Sequence, residues 1–216
     1  MYVITGASDG LGKSLAQQLE SKGKRVISFS RRKAKVETII CDLTDPKSVK
    51  EAAFKVLDEQ EPIDALINCA GIFSMQELGN LESSELERVF ATNVTGPMQL
   101  TSLLIGRIKK DEADILNVSS SVGTKAYENQ AAYGASKWAM RGFSANLQVE
   151  LKGTPCRVIS FCPGGFKSKL FEKAIGFDNT TDDSAWMKAE DIAGFMINIL
   201  ELPKNMEVSE VIINRK

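Results

Sequence analysis

The chain has 216 residues, 43% of them apolar and 25% charged, and its 27 basic and 28 acidic side chains leave a net charge of −1. That composition suits one domain spanning residues 1–216 with a substantial core, and the dispersed charge excludes the extended basic surface that nucleic acid would need. Histidine is absent, which removes every imidazole-based mechanism and the commonest zinc ligand, so no metal site is expected. The longest apolar stretches, such as Val26 to Phe29 and Val158 to Phe161, fall far short of the roughly 20 residues that span a bilayer. No membrane partner is expected. Cys41, Cys69, Cys156 and Cys162 form no CxxC pair and read as small buried hydrophobes. A strand beginning at Tyr2 leaves no room for a leader and cleavage site, so the expected location is cytoplasmic.

In chain order, Tyr2 to Thr5, Arg25 to Ser30, Glu37 to Cys41, Ala65 to Asn68, Ile115 to Ser119, Cys156 to Cys162 and Glu207 to Asn214 read as strands. Gly12 to Lys22, Pro46 to Gln60, Ser83 to Lys110, Ala132 to Lys152 and Ala189 to Leu202 read as helices, the third interrupted by Thr95, Gly96 and Pro97. Strands separated by helices pair in parallel through right-handed crossovers, and strands this apolar need cover on both faces. The expected fold is α/β, a Rossmann-like, doubly wound, mainly parallel seven-stranded sheet. Arg31 to Val36 is too short for a crossover helix and predicts a loop or single turn. Phe166 to Met187 carries no strong period and reads equally as a binding lid or a plain surface excursion.

Three groups of residues point to chemistry. Thr5, Gly6, Ala7, Ser8, Asp9, Gly10, Leu11 and Gly12 join the first strand to the first helix, where glycine permits a tight turn and close approach of backbone N–H groups to a pyrophosphate. The spacing is TGxxxGxG rather than GxGxxG. At the end of the second strand, where an NAD enzyme would carry an acid for the ribose hydroxyls, this chain has Ser30, Arg31 and Arg32. Guanidinium groups can take a 2′-phosphate through paired, charge-assisted bonds, so NADP(H) is favoured over NAD(H). A solvated basic turn with Lys33 and Lys35 would leave the same pattern, but the fold dictates this location for the phosphate. Tyr133 and Lys137 stand four apart at the start of a helix and share a face. A phenol is a poor base at neutral pH, and an adjacent ammonium favours its ionised form.

Taken in this order, these motifs resemble those of the short-chain dehydrogenase/reductase family, over nearly the whole chain. Gly6, Gly10 and Gly12 match its glycine turn, Asp42 and Leu43 its adenine-contacting pair, and Asn68, Cys69, Ala70 and Gly71 its NNAG strand end, with Cys69 in place of the second asparagine; the resemblance implies that Asn68, Ala70 and Gly71 line the cofactor site. Asn93 matches its helix asparagine. Pro163, Gly164, Phe166 and Ser168 fall in the segment beside the nicotinamide. Ser120 lies thirteen residues before Tyr133, the family's spacing, although Ser119 and Ser121 adjoin it. The resemblance implies an oxidoreductase in which Tyr133 exchanges a proton with the substrate oxygen, Ser120 holds that oxygen, Lys137 lowers the tyrosine pKa and binds ribose, and Asn93 supports a water-linked proton route.

The same resemblance implies a homodimer or homotetramer built on the two long helices. Leu100, Leu103, Leu104, Ala139, Phe143 and Leu147 could serve such an interface, but most are expected in the core. A cofactor-using epimerase or dehydratase, and a non-catalytic NADP-binding redox-sensing regulator, are the alternatives. The expected partner is a small carbonyl or alcohol, its pocket formed by the Phe166 to Met187 segment with Phe73, Ser121 and Tyr127. The mixture of Leu170, Phe171, Phe177 and Trp186 with Lys167, Lys169, Asp182 and Asp183 leaves the substrate open among ketones, aldehydes, polyols and hydroxy acids.

Overall fold

A computed structural model describes residues 1–180 and 186–216. Among these, seven strands form one parallel sheet: β1 (Tyr2–Thr5), β2 (Val26–Ser30), β3 (Glu37–Ile40), β4 (Ala65–Asn68), β5 (Asp114–Val118), β6 (Val158–Pro163) and β7 (Glu210–Ile213). Their spatial order is β3-β2-β1-β4-β5-β6-β7, and every adjacent pair is parallel. The chain therefore winds outward from β1 to one edge, returns, and winds outward from β4 to the other. In such sheets the crevice at the C-terminal strand ends, where the winding reverses, is the ligand site.

Alternation along the strands feeds two cores. Val3, Ile27, Phe29, Leu66 and Ile115 face one side, where α2 (Pro46–Leu57), α4 (Gly96–Asp111) and α5 (Ala131–Glu150) supply Val49, Val56, Leu100, Leu104, Ile108 and Leu147. Tyr2, Ile4, Ile67, Leu116 and Phe161 face the other, covered by Leu11, Leu15 and Leu19 of α1 (Gly10–Ser21) and by Ile192, Met196 and Ile197 of α7 (Ala189–Leu200). Burying side chains on both faces accounts for strands that read as continuous apolar runs. Asp45 caps α2, its carboxylate accepting from Lys47 N at 2.9 Å, with Pro46 in the first turn where its missing N–H costs nothing.

The β2–β3 link is a loop, as its length requires. The expected third helix runs in three parts: α3 (Ser83–Phe90), a wide π-helical turn over Ala91–Thr95, and α4. The chain does not break at Gly96 and Pro97; the wide turn passes Gly96 N to Ala91 O and places proline in the first turn of α4. Gly96 is there for space, since a Cβ would lie 2.4 Å from Leu43 O. The Phe166 to Met187 segment holds a short helix, α6 (Leu170–Ile175), too brief to show a period. Thr181, Asp182 and Asp183 of the expected lid lie outside the described residues. Leu100, Leu104 and Leu147 are core residues, with Leu103 and Phe143 packed against them.

Candidate active site

The strand ends around the switch open into a cleft of about 530 Å³. Its floor is the turn after β1. Gly6 has φ +78° and Gly10 φ +53°, conformations that L side chains rarely adopt. A Cβ at Gly6 would lie 2.8 Å from Ala70 Cα, and one at Gly12 would lie 2.6 Å from Gly6 O, so both glycines are also required by contact. Asp9 caps α1, its Oδ1 accepting from Gly10 N at 2.8 Å. The helix start, with Gly10, Leu11 and Gly12 on the cleft wall, is a ready anion cradle. Thr5 Oγ1 accepts from both Cys69 N and Ala70 N at 3.0 Å, tying the end of β1 to the end of β4 across the switch.

At one end of the cleft, Ser30, Arg31, Arg32, Asp42 and Leu43 form the rim. The Ser30 hydroxyl is buried against that of Ser28 at 2.7 Å, while both arginines are exposed. Asp42 Oδ1 accepts from Thr44 N at 2.9 Å and Thr44 Oγ1 at 2.8 Å. Burial pushes its carboxyl up, but these bonds and the Arg31 charge outweigh it and hold the pKa below the usual value. Arg31 therefore stands over the cleft rim, close to Asp42.

At the other end, three consecutive serines leave β5 with distinct tasks. Ser119 Oγ donates to Lys137 O at 2.8 Å, and Ser121 O accepts from Thr124 Oγ1 at 2.7 Å. Ser120 Oγ accepts from Val122 N at 3.2 Å and donates to Pro163 O at 3.5 Å, and its hydroxyl lies near enough to the Tyr133 phenol to oppose the rise in its pKa. Of the three, Ser120 is the one whose hydroxyl bears on the titration of Tyr133. Lys137, one turn along α5, donates to Val118 O at 3.1 Å, its Nζ 5.7 Å from the Tyr133 ring centre. Tyr133 and Lys137 are 7% and 5% exposed, and this burial governs their titration. The phenol is pushed up to about 12, opposed by the nearby Ser120 hydroxyl, and the ammonium is pushed down to about 8. The expected lowering of the Tyr133 pKa by Lys137 is not what the structure has: removing both groups from water dominates.

Asn93, in the π-helical turn, accepts from Ile72 N at 2.8 Å and donates to Ile72 O and Ser136 Oγ, both at 3.0 Å. It braces the loop after β4 against α5 from behind the cleft. Gly71 lies between them, its hypothetical Cβ 3.4 Å from both Asn93 Oδ1 and Lys137 Nζ.

Asn68 departs from its expected place on the cleft wall. It donates to Thr101 Oγ1 at 3.1 Å and Asn117 Oδ1 at 2.8 Å, while Asn117 donates to Ser144 Oγ at 2.9 Å. Its parity with Leu66 along β4 explains this, because alternate residues share a face and that face meets α4 and α5. Apart from Asn68 and Asn93, the expected residues, Ser8, Ala70, Pro163, Gly164, Phe166 and Ser168 among them, do line the cleft.

Sequence reasoning passed over Arg88, Gln130, Gly165, Lys173 and Arg215, all on the wall. Lys173 of α6 ion-pairs with Asp9, so the short helix is fastened to the glycine turn. An aromatic wall continues from Tyr133 to Phe73, ring centres 4.9 Å apart, then to Phe171 at 4.8 Å and Trp186 at 5.5 Å. The cleft thus joins a backbone cradle for anions, a phenol and hydroxyl that can share a ligand oxygen, and an apolar pocket beyond them.

This architecture recurs widely. The model of the short chain dehydrogenase family matches residues 1–176. An uncharacterised short-chain type dehydrogenase/reductase of Sinorhizobium fredii is 30% identical, covering 97% of this chain and 88% of the relative. An L-xylulose reductase of Caenorhabditis elegans is 28% identical over 97% of this chain and 84% of its own length. Among solved structures, an alcohol dehydrogenase of Thermococcus sibiricus complexed with 5-hydroxy-NADP superposes with a TM-score of 0.89 at 23% identity, covering 99% of this chain and 95% of that one. A serine dehydrogenase complexed with NADP+ also superposes at 0.89, with 22% identity over 98% and 93% of the chains. The chain belongs to the short-chain dehydrogenases, a family of oxidoreductases.

Proposed function

We propose that the protein is a cytoplasmic, single-domain NADP(H)-dependent oxidoreductase acting on a carbonyl or alcohol, with Tyr133 as general acid and base. The observation that carries this reading is the buried Tyr133 phenol on the cleft wall beside Ser120, one helical turn from Lys137. The residues fit the cofactor: a Cβ would fill the cradle at Gly6 and Gly12, and the basic rim suits an additional phosphate. In this reading the glycine turn with Ser8, Asp9 and Leu11 holds the pyrophosphate, Arg31 and Arg32 beside Ser30 take the 2′-phosphate, and Asp42 and Leu43 flank the adenine. Ala70, Gly71 and Lys137 meet the nicotinamide ribose, with Pro163, Gly164, Phe166 and Ser168 beside the ring. The nicotinamide, when bound, supplies or accepts the hydride.

The chain's own groups handle the oxygen. Tyr133 gives its phenolic proton to the carbonyl oxygen as that oxygen becomes an alkoxide, and takes it back in oxidation. Ser120 orients the oxygen by a hydrogen bond. A phenol raised to about 12 is firmly protonated at neutral pH, which suits reduction; Lys137, titrating near 8, remains largely charged there and favours the phenolate when the proton leaves. Asn93 acts as a positioning residue through Ile72 and Ser136. Four free thiols agree with a reducing compartment. Exposed Met98, Trp138 and Val149 on α4 and α5 support a homodimer or homotetramer through those helices.

Titration of NADPH and NADH, followed by NADPH consumption with a carbonyl panel and with Tyr133→Phe, tests the reading. Tight NADPH binding and Tyr133-dependent turnover are expected; failure to bind either nucleotide overturns it.

A further inference from the structure

Although the chain as a whole is slightly acidic, the charged side chains on the cleft wall are mainly cationic, with Asp9 and Asp42 the only acids among the described residues there. Most of these cations have partners. Arg31 lies near Asp42, Arg32 belongs with it to the rim that the proposed function assigns to the phosphate, and Lys137 donates to Val118 O. Arg88 is held by both oxygens of Glu85 at 2.8 Å, Lys173 pairs with Asp9, and Lys169 lies near enough to Asp9 and Asp178 to lower both carboxyls.

Arg215 differs. Its guanidinium lies 4.6 Å from the Trp186 ring centre and has no acidic partner among the described residues. Trp186 is itself seated by a missing side chain, since a Cβ at Gly165 would lie 2.5 Å from its ring. The strand leading to Arg215 is anchored where Gly164 N donates to Ile213 O at 2.7 Å, directly after β6. Arg215 thus stands at the end of the aromatic wall that begins at Tyr133. Stacking fixes the plane of a guanidinium while leaving its edge N–H groups free for a carboxylate.

We propose that Arg215 selects the substrate by binding an anionic arm, so that the preferred substrates are oxo acids and the corresponding hydroxy acids, their apolar part lying against Phe73, Phe171 and Trp186. This rests on the oxidoreductase reading of the same cleft. A neutral ketone fills the aromatic wall but leaves Arg215 unused. An oxo acid engages both, with its carbonyl oxygen at Ser120 and Tyr133. Arg215 is in this sense a specificity-determining residue, not a participant in proton transfer.

The test compares benzoylformate and acetoacetate with their methyl esters. Wild type is expected to favour the acids by about tenfold or more in kcat/KM, the scale of a charge-assisted pair at an accessible site. Arg215→Met, which keeps a stem to cover Trp186, should bring acids to the level of the esters while ester turnover stays within about twofold. Arg215→Lys should restore part of the acid preference. Esters favoured by wild type, or an acid preference that survives in Arg215→Met, overturns the proposal. If none of the four compounds turns over, benzoate binding to the NADP+-loaded protein is read from Trp186 fluorescence in a Trp138→Phe background. Roughly tenfold weaker binding in Arg215→Met supports the assignment; no binding, or equal binding, rejects it. Tyr133→Phe should silence acids and esters alike, so its result reports on the enzyme class independently of Arg215.

Discussion

The two walls of the cleft are built on different principles. The wall from the glycine turn to the β4 end is made of backbone: positive-φ glycines, a helix start, and a threonine hydroxyl joining two strand ends. The opposite wall, from Phe73 through α6 to Trp186, is made of side chains touching side chains, with an exposed ion pair as its fastening. Constraints on backbone geometry admit few residue types and are costly to violate. Ring contacts admit many combinations and can change independently of the frame. A wall fixed by backbone geometry opposite one built from interchangeable side chains lets a single scaffold serve many substrates.

The sharpest way to break this contrast is at the group where the walls meet. Tyr133→Phe should lower kcat by about 10²–10⁴-fold with NADPH affinity unchanged in titration, the range expected for a lost general acid. On the backbone wall, Gly12→Ala must push a methyl group toward Gly6 O from a starting separation of 2.6 Å. It should destabilise the fold by about 2 kcal/mol in denaturant unfolding and weaken nucleotide binding roughly 100-fold.

At the rim, Arg31→Ala combined with Arg32→Ala should erase an NADPH-over-NADH preference of about 10–100-fold, because NADH lacks the phosphate those groups would pair with. Equal losses for both nucleotides would assign the arginines to general attraction instead.

Lys137 offers a pH-dependent test. Its folded pKa near 8 lies below its ordinary 10.5, so between these values the unfolded chain binds more protons than the folded one and stability rises with pH. In thermal unfolding without nucleotide, wild type should gain about 1–3 kcal/mol relative to Lys137→Met across that window. A flat difference would mean that the ammonium is hydrated in solution. The smallest effect belongs to the side-chain wall: Lys173→Met removes a half-exposed ion pair and should cost less than about 1 kcal/mol in the same assay.

The contrast also explains what could be read without coordinates. The glycine turn was legible because its geometry dictates residue type, and Tyr133 and Lys137 because helical spacing places them on one face. The sheet followed from alternating apolar runs and crossover lengths. Helix α6 was not legible, since six residues cannot display a period, and the aromatic wall joins positions from Phe73 to Trp186 that only tertiary packing brings together. Asn68 was assigned to the cleft because a motif gives position but not side-chain direction; strand parity with Leu66 carried that information. The raised phenol pKa depends on the depth of burial, which a spacing rule does not contain.

The polar chain from Asn68 through Asn117 to Ser144, with Thr101 alongside, lies within an otherwise apolar layer. Its contribution to stability is modest, because each bond replaces one to water. Its geometry is demanding, because sliding α5 by one residue would strand amide and hydroxyl groups in a dry interior. Apolar packing alone would tolerate such a slide more readily. Asn68, Asn117 and Ser144 thus act as an index pin for α5: they set the axial position at which Tyr133 and Lys137 emerge, although none of them reaches the cleft.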